Sequence, residues 1–216
     1  MIRCESTGGT YEVRFEADNR YGHAGASTSL PSFGQVRLLA PFSSSQAPLH
    51  EIYSEVVTQG RRPAAKAIIK AIIPGFEDIV ILVEAGQPVV HIVFEDYSLP
   101  IAVMGDGVKA LTSLAMGLAA RPGGTVLIEE PEVHEHPAAI RQSARAILAA
   151  THRDVQVLVS THSLDFIDAL LAECTPEDRA QLAVYRFART KGVLSTTRIP
   201  GDEALLARGH IQDDLR

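Results

Sequence analysis

The sequence predicts an α/β protein: a parallel sheet flanked by helices, with an additional β-hairpin region. Three observations carry this expectation. Two short apolar runs, Thr125 to Ile128 and Val155 to Ser160, show little polar alternation, as in strands buried on both faces of a parallel sheet. Segments with helical spacing flank and separate them, giving the order helix, strand, helix, strand, helix. Upstream, two β-rich runs surround Ala85-Gly86-Gln87-Pro88, the pattern of a hairpin.

The first 35 residues are the least patterned, with Gly8, Gly9, Gly22, Gly25 and Gly34 interrupting any element; they read as a loose remnant or an irregular insertion. Gln35 to Pro41 is expected as a short strand, followed by a Ser43-Ser44-Ser45 loop. Helices are expected over Leu49 to Gln59 and Pro63 to Ile73, the second with proline at its start and Pro74-Gly75 beyond its end. Glu77 to Glu84 and Val89 to Glu95 form the hairpin. From Asp106 to Ala120, Val108, Leu111, Leu114, Ala115 and Leu118 fall on one helical stripe. Helices over Pro137 to Ala150 and Ser163 to Ala172 alternate with the two buried strands. A second hairpin is expected over Leu182 to Ile199, turning at Lys191-Gly192, and the residues from Gly201 onward read as a mobile polar end.

Composition fits this reading. The 216 residues suffice for one domain with a sizeable core, and 46% apolar with 21% charged residues argues against disorder of the whole chain. A net charge of −6 gives no overall footprint for nucleic acid as a partner. Cys4 and Cys174 are far apart with no Cys-x-x-Cys, which points to two reduced thiols rather than a disulfide framework or zinc knuckle. No run approaches the ~18 apolar residues that span a bilayer. A cytoplasmic protein with no membrane partner is expected.

The chemistry concentrates in three segments. Thr125 to Glu132 (TVLIEEPE) is an apolar strand ending in two acids, which places carboxylates at the C-terminal edge of a parallel sheet, where open α/β sheets bind ligands. Successive strand residues face opposite sides. One acid can therefore face a Mg²⁺ and its waters while the next faces an attacking water. Taken alone, two acids at a strand end fit simple solvent exposure better. Val157 to Ser163 (VLVSTHS) ends a second buried strand in hydroxyls and an imidazole, and Ser163 is also a plausible helix N-cap, which leaves His162 free. Met104-Gly105-Asp106-Gly107-Val108-Lys109 is a turn opening a helix, where free backbone N–H groups bind anions. An ordinary turn uses the same residues.

In this order the three segments resemble the C-terminal half of ABC-class ATPases of the SMC, RecF and OLD type, often called AAA-family ATPases in bacteria. The resemblance implies a partial P-loop NTPase domain over 1–216. Its signature-like segment would be 104–109, Walker B 125–130, a D-loop-like stretch 132–137 and the switch 160–163. It implies that Gly105, Asp106, Gly107 and Lys109 contact the nucleotide of an opposite subunit. It further implies that Glu129 holds Mg²⁺ through water, that Glu130 polarises the attacking water and that His162 senses the γ-phosphate. ATP and Mg²⁺ are the implied cofactors. Glu129 stands where Asp is more usual, and Glu135 where a Leu is common.

No Gly-x-x-x-x-Gly-Lys-Ser/Thr occurs anywhere in the chain. Since that loop cradles the phosphates, the expectation is a truncated domain, or one whose P-loop comes from a partner subunit, with a homodimer in head-to-tail arrangement as the other form of assembly. The isolated chain is then expected to be inactive, and an inactive ATPase-like binding or regulatory module is the alternative. His134-Glu135-His136 also invites a zinc reading, as in a metal-dependent phosphoesterase, but a third ligand is not identifiable. Arg61-Arg62, Lys66 and Lys70 read as a solvated helix face.

Overall fold

A computed structural model of the chain describes residues 2–6, 9–15, 24–25, 36–39, 48–120, 123–133, 137–190, 193–211 and 214–215. Two compact units make up the chain, Met1–Gln35 and Val36–Arg216. In the first unit β1 (Ile2–Ser6), β2 (Gly9–Phe15) and β3 (Ala24–Gly25) form one antiparallel sheet in that order, with Ile2 opposite Val13 and Arg14 opposite Gly25. This corrects the expectation of an unpatterned segment. Tyr11, Val13 and Phe15 alternate with Glu12 and Arg14, the two-residue period of a strand, and the density of glycine had masked it.

The second unit opens with β4 (Val36–Leu39), then α1 (Leu49–Thr58) and α2 (Arg62–Ile72), the latter started by Pro63 in its first turn. An antiparallel sheet follows, β5 (Asp78–Glu84), β6 (Gln87–Val93) and β7 (Ser98–Pro100). Glu84 pairs with Gln87, so the β5–β6 loop has two residues. Ala85 (φ 48°) and Gly86 (φ 79°) adopt the left-handed conformations that such a loop needs. A 3₁₀ turn, Ile101–Val103, leads into α3 (Asp106–Ala119). Then come β8 (Thr125–Glu129), α4 (Pro137–Thr151), β9 (Gln156–Ser160), α5 (Leu164–Glu173) and α6 (Pro176–Gln181). The hairpin β10 (Ala183–Thr190) and β11 (Val193–Pro200) and the helix α7 (Gly201–Leu206) follow, and Ala207–Ile211 extends α7 by a π-helical turn.

β4, β8 and β9 form a parallel sheet with β8 in the middle. Helices α3, α4 and α5 bury one face of it: Leu39, Val126 and Ile128 pack with Leu114, Leu118, Ile140, Ile147 and Phe166. Gly117 lets α3 lie close to β4, since a Cβ there would stand 2.7 Å from the Leu39 side chain. A second apolar cluster joins α1, α2 and α3 to β5 and β6 through Ile52, Val56, Ile69, Phe76, Ile79, Ile92 and Met116, and Tyr53 Oη donates to the Ile79 carbonyl at 2.6 Å. Arg37, on the covered side of β4, pairs with Glu55 of α1.

On the other face of the parallel sheet the described side chains stay partly exposed. The register lines up Leu38, Leu127 and Leu158 across the three strands. Val36, Leu38 and Leu158 are 50%, 48% and 49% exposed. The expectation of burial on both faces is therefore met on one face only, because the three helices packed on this sheet share a side.

The C-terminal reading also changes. The residues from Gly201 are not a loose polar end: Ala204 and Leu215 are buried with Ile167 and Leu171 of α5, and Arg208 donates to both carboxylate oxygens of Asp168, at 2.6 and 2.7 Å. Among the described residues no helix is long and apolar enough to cross a membrane.

Candidate functional site

The C-terminal edge of the parallel sheet gathers the acids and the histidine. Glu129 is the last residue of β8 and pairs in register with Ser160, the last of β9. Counting alternately along the strands, Glu129 and Ser160 lie on the same side as Leu38, Leu127 and Leu158, the partly exposed face. Both are exposed.

Glu130 continues the pairing by one bond, its N–H donating to the Ser160 carbonyl at 2.8 Å. Its backbone is left-handed, with φ 42°. For a residue with a Cβ that conformation costs about 1–3 kcal/mol and persists where surrounding structure holds it, commonly at functional sites. The main chain therefore turns at Glu130, directly after the strand end. Glu130 Oε1 lies 3.7 Å from His162 Nε2. That is too long for a direct hydrogen bond, so the two groups flank a gap. The His162 side chain is 88% exposed and free to contact a ligand.

Glu132 ties the two strand ends together. Thr161 Oγ1 donates to Glu132 Oε1 at 2.5 Å, and the His162 N–H donates to the same oxygen at 3.3 Å. The Ser163 N–H donates to Thr161 Oγ1 at 2.9 Å, while Ser163 Oγ accepts the Phe166 N–H at 3.2 Å and caps α5, as the sequence led one to expect. The sequence places Glu132 in the D-loop-like stretch and Thr161 in the switch segment but does not pair them. Their signal, an acid just past the strand end and a hydroxyl facing it from the next strand, becomes visible only once the β8–β9 register is known.

The structure therefore brings Glu129, Glu130 and His162 to one edge. The segment Gly105 to Lys109 opens α3, with Gly105 as N-cap and Lys109 Nζ bonded to Asp106 Oδ1 at 3.0 Å, and takes no part in the edge bonds just described. His134, Glu135 and His136 lie outside the described residues. Among the described residues no group of three or more His, Cys, Asp or Glu side chains is gathered to hold a metal by itself. The shallow groove of about 430 Å³ along α2, lined by Arg62, Pro63, Lys66, Ala67 and Lys70, is remote in chemistry from this edge. There Arg62 and Lys66 pair with Asp78 at 2.6 and 3.2 Å, so that basic face is partly neutralised rather than simply solvated.

Glu129, exposed at the end of β8 and paired in register with Ser160, offers oxygen donors of the kind a hard cation takes. The phosphate cradle of a nucleotide is a different matter, because the chain contains no Gly-x-x-x-x-Gly-Lys-Ser/Thr loop.

A parallel sheet flanked by helices, with acids at its C-terminal edge, is in keeping with ATPases of the ABC/AAA type. The structure is similar to an SMC ATPase studied for ATP-driven dimerization and DNA stimulated activation, at TM-score 0.53 and 17% identity over 76% of this chain and 98% of that one. It is also similar to the SMC head domain of Thermotoga maritima, at TM-score 0.51 and 14% identity over 91% of this chain and 72% of that one. At such identities the likeness is one of fold. In sequence, 83 residues are 31% identical to an uncharacterized protein of Methanocaldococcus jannaschii, 38% of this chain and 73% of that protein. The chain belongs to the family described as "AAA domain, putative AbiEii toxin, Type IV TA system", whose model matches residues 26–168.

Proposed function

We propose that this chain is the metal-and-water half of an ATP-hydrolysing site, completed by a phosphate-binding loop from upstream or from a partner subunit. The observation that supports it best is the sheet edge itself: two adjacent acids at the strand end, the second with a left-handed backbone and an exposed histidine 3.7 Å from its carboxylate. Glu129 holds the Mg²⁺ shell through water, and the ion, when bound, neutralises charge on the phosphates. Glu130 orients the attacking water and accepts its proton. His162, across the gap, contacts the phosphoryl group to be transferred. Gly105, Asp106, Gly107 and Lys109 meet the nucleotide of an opposite subunit in a head-to-tail pair, an arrangement in keeping with the ATP-driven dimerization of the SMC relative.

The partly exposed sheet face, which carries Glu129 and Ser160, is where the missing half docks in this reading. A non-enzymatic module is the second reading, favoured by the missing loop alone. Calorimetric titration separates them. The isolated chain should bind Mg-ATP no tighter than the millimolar range, about −4 kcal/mol, and should bind it at least 100-fold tighter together with a loop-bearing half. A micromolar dissociation constant for the chain alone contradicts the incomplete site. A mixture no tighter than the chain alone favours the module.

A further inference from the structure

We infer that Glu132 is a positioning residue that sets His162 in place by binding the switch segment to the end of β8. The inference rests on the proposed role of His162 and goes beyond it by naming what holds that residue. The Glu132 carboxylate receives two donors from the next strand's end, Thr161 Oγ1 and the His162 N–H, and Thr161 Oγ1 in turn receives the Ser163 N–H. Ser163 then caps α5. The backbone on both sides of His162 is thus pinned, to β8 through Glu132 and to α5 through Ser163, while the imidazole stays out in solvent.

A carboxylate is a costly choice for a merely structural tie. Its other oxygen, Glu132 Oε2, is buried and has no hydrogen-bond partner among the described residues. A buried acceptor without a donor is destabilising, more so when charged. What the acid offers in return is a short charge-assisted bond to Thr161, which holds the strand end more firmly than a neutral acceptor. Since β8 also carries Glu129 and Glu130, the same tie keeps the histidine in step with both acids. Glu132 touches no reacting atom in this account.

The test has two arms on the full chain. In the first, hydrogen–deuterium exchange is followed over residues 161–163 with Glu132 intact, Glu132→Ala and Glu132→Gln. The alanine variant should exchange there ~10-fold faster or more, as expected for loss of a charge-assisted bond. Glutamine, which keeps an acceptor oxygen, should restore most of the protection. In the second arm the variants are assayed for ATP hydrolysis with a loop-bearing half. Glu132→Ala should lower kcat ~10-fold and leave KM for ATP within about twofold, because the histidine is misplaced by around an ångström while binding is untouched. Thr161→Val should do the same, and the double variant should be no worse than either single one. Should Glu132→Ala unfold, Glu132→Gln and Thr161→Val decide. Unchanged exchange in the alanine and valine variants overturns the inference, as does a wild-type kcat in both. If the unmodified complex hydrolyses no ATP, the ATPase reading fails by itself, and the exchange arm still decides what Glu132 holds.

Discussion

Glu130 is held at φ 42°, a conformation in which glycine is at ease and glutamate is strained. Glu130→Gly should therefore leave the fold intact and raise its stability by about 1 kcal/mol, the strain relieved less the greater entropy that glycine loses on folding. Thermal unfolding of the two proteins checks this. Destabilisation by the glycine would show that the Glu130 side chain serves packing instead. Cys174 offers a second check at the same scale. Burial, with Asp178 nearby, pushes its thiol up to about 11. Thiolate is the reactive form, so in a Cys4→Ser background alkylation at pH 8 should run at least ~100-fold slower folded than in denaturant. Equal rates would mean that the α5–α6 junction opens readily. At this scale the sequence was informative about identity and silent about pairing. The acids and the histidine stood out as strand-end residues, but the contact between Thr161 and Glu132 joins residues 29 apart and follows from the register Glu129 to Ser160, which no local pattern encodes.

Among the elements, the long periodic ones were legible and the short capped ones were not. α3 and α4 carry apolar stripes over several turns, and the β5–β6 turn has its glycine where the left-handed pair requires it. α6 is only six residues long and is made by its cap: Thr175 Oγ1 accepts the Asp178 N–H, and Asp178 accepts the Thr175 N–H. α7 lacks a long apolar stripe, and tertiary contacts on α5 supply what its sequence does not. Gly201 lets the start of α7 lie against α6, because a Cβ there would stand 2.5 Å from the Arg179 carbonyl oxygen and 3.0 Å from its Cα. Gly201→Ala should cost about 1–3 kcal/mol, the usual range for overpacking against backbone; an unchanged melting temperature would show that α7 is free to shift. The same corner responds to acid. The Thr175 amide and, after it, His152 hold the Asp178 carboxyl below its ordinary value, and Arg145 does so for Glu173. Carboxyls depressed in the folded state add stability above their unfolded value near ~4 and lose it as pH falls through the lower folded values. The melting temperature should be level from pH 7 to about 5 and fall below about 4. A melting temperature that rose on acidification would contradict these pairings.

For the whole molecule the decisive feature is the partly exposed face of the parallel sheet, with Val36, Leu38 and Leu158 about half exposed and β4 and β9 as its edges. Exposed apolar surface on an open sheet drives association. The purified chain should self-associate, and Leu38→Lys with Leu158→Lys should suppress this and also abolish activation by a loop-bearing half. A monomer that melts cooperatively and ignores both substitutions would contradict the docking role of this face. The central claim, that Glu130 is the water-orienting acid of an ATPase, is tested most directly in the complex with such a half. ATP hydrolysis and Mg-ATP binding are measured with Glu130 intact and with Glu130→Gln, which keeps size and hydrogen bonding but removes the charge. The account predicts a rate lower by ~10²–10⁴-fold with nucleotide binding retained. Hydrolysis at the unmodified rate by Glu130→Gln would contradict it and reopen the assignment of Glu129 as well.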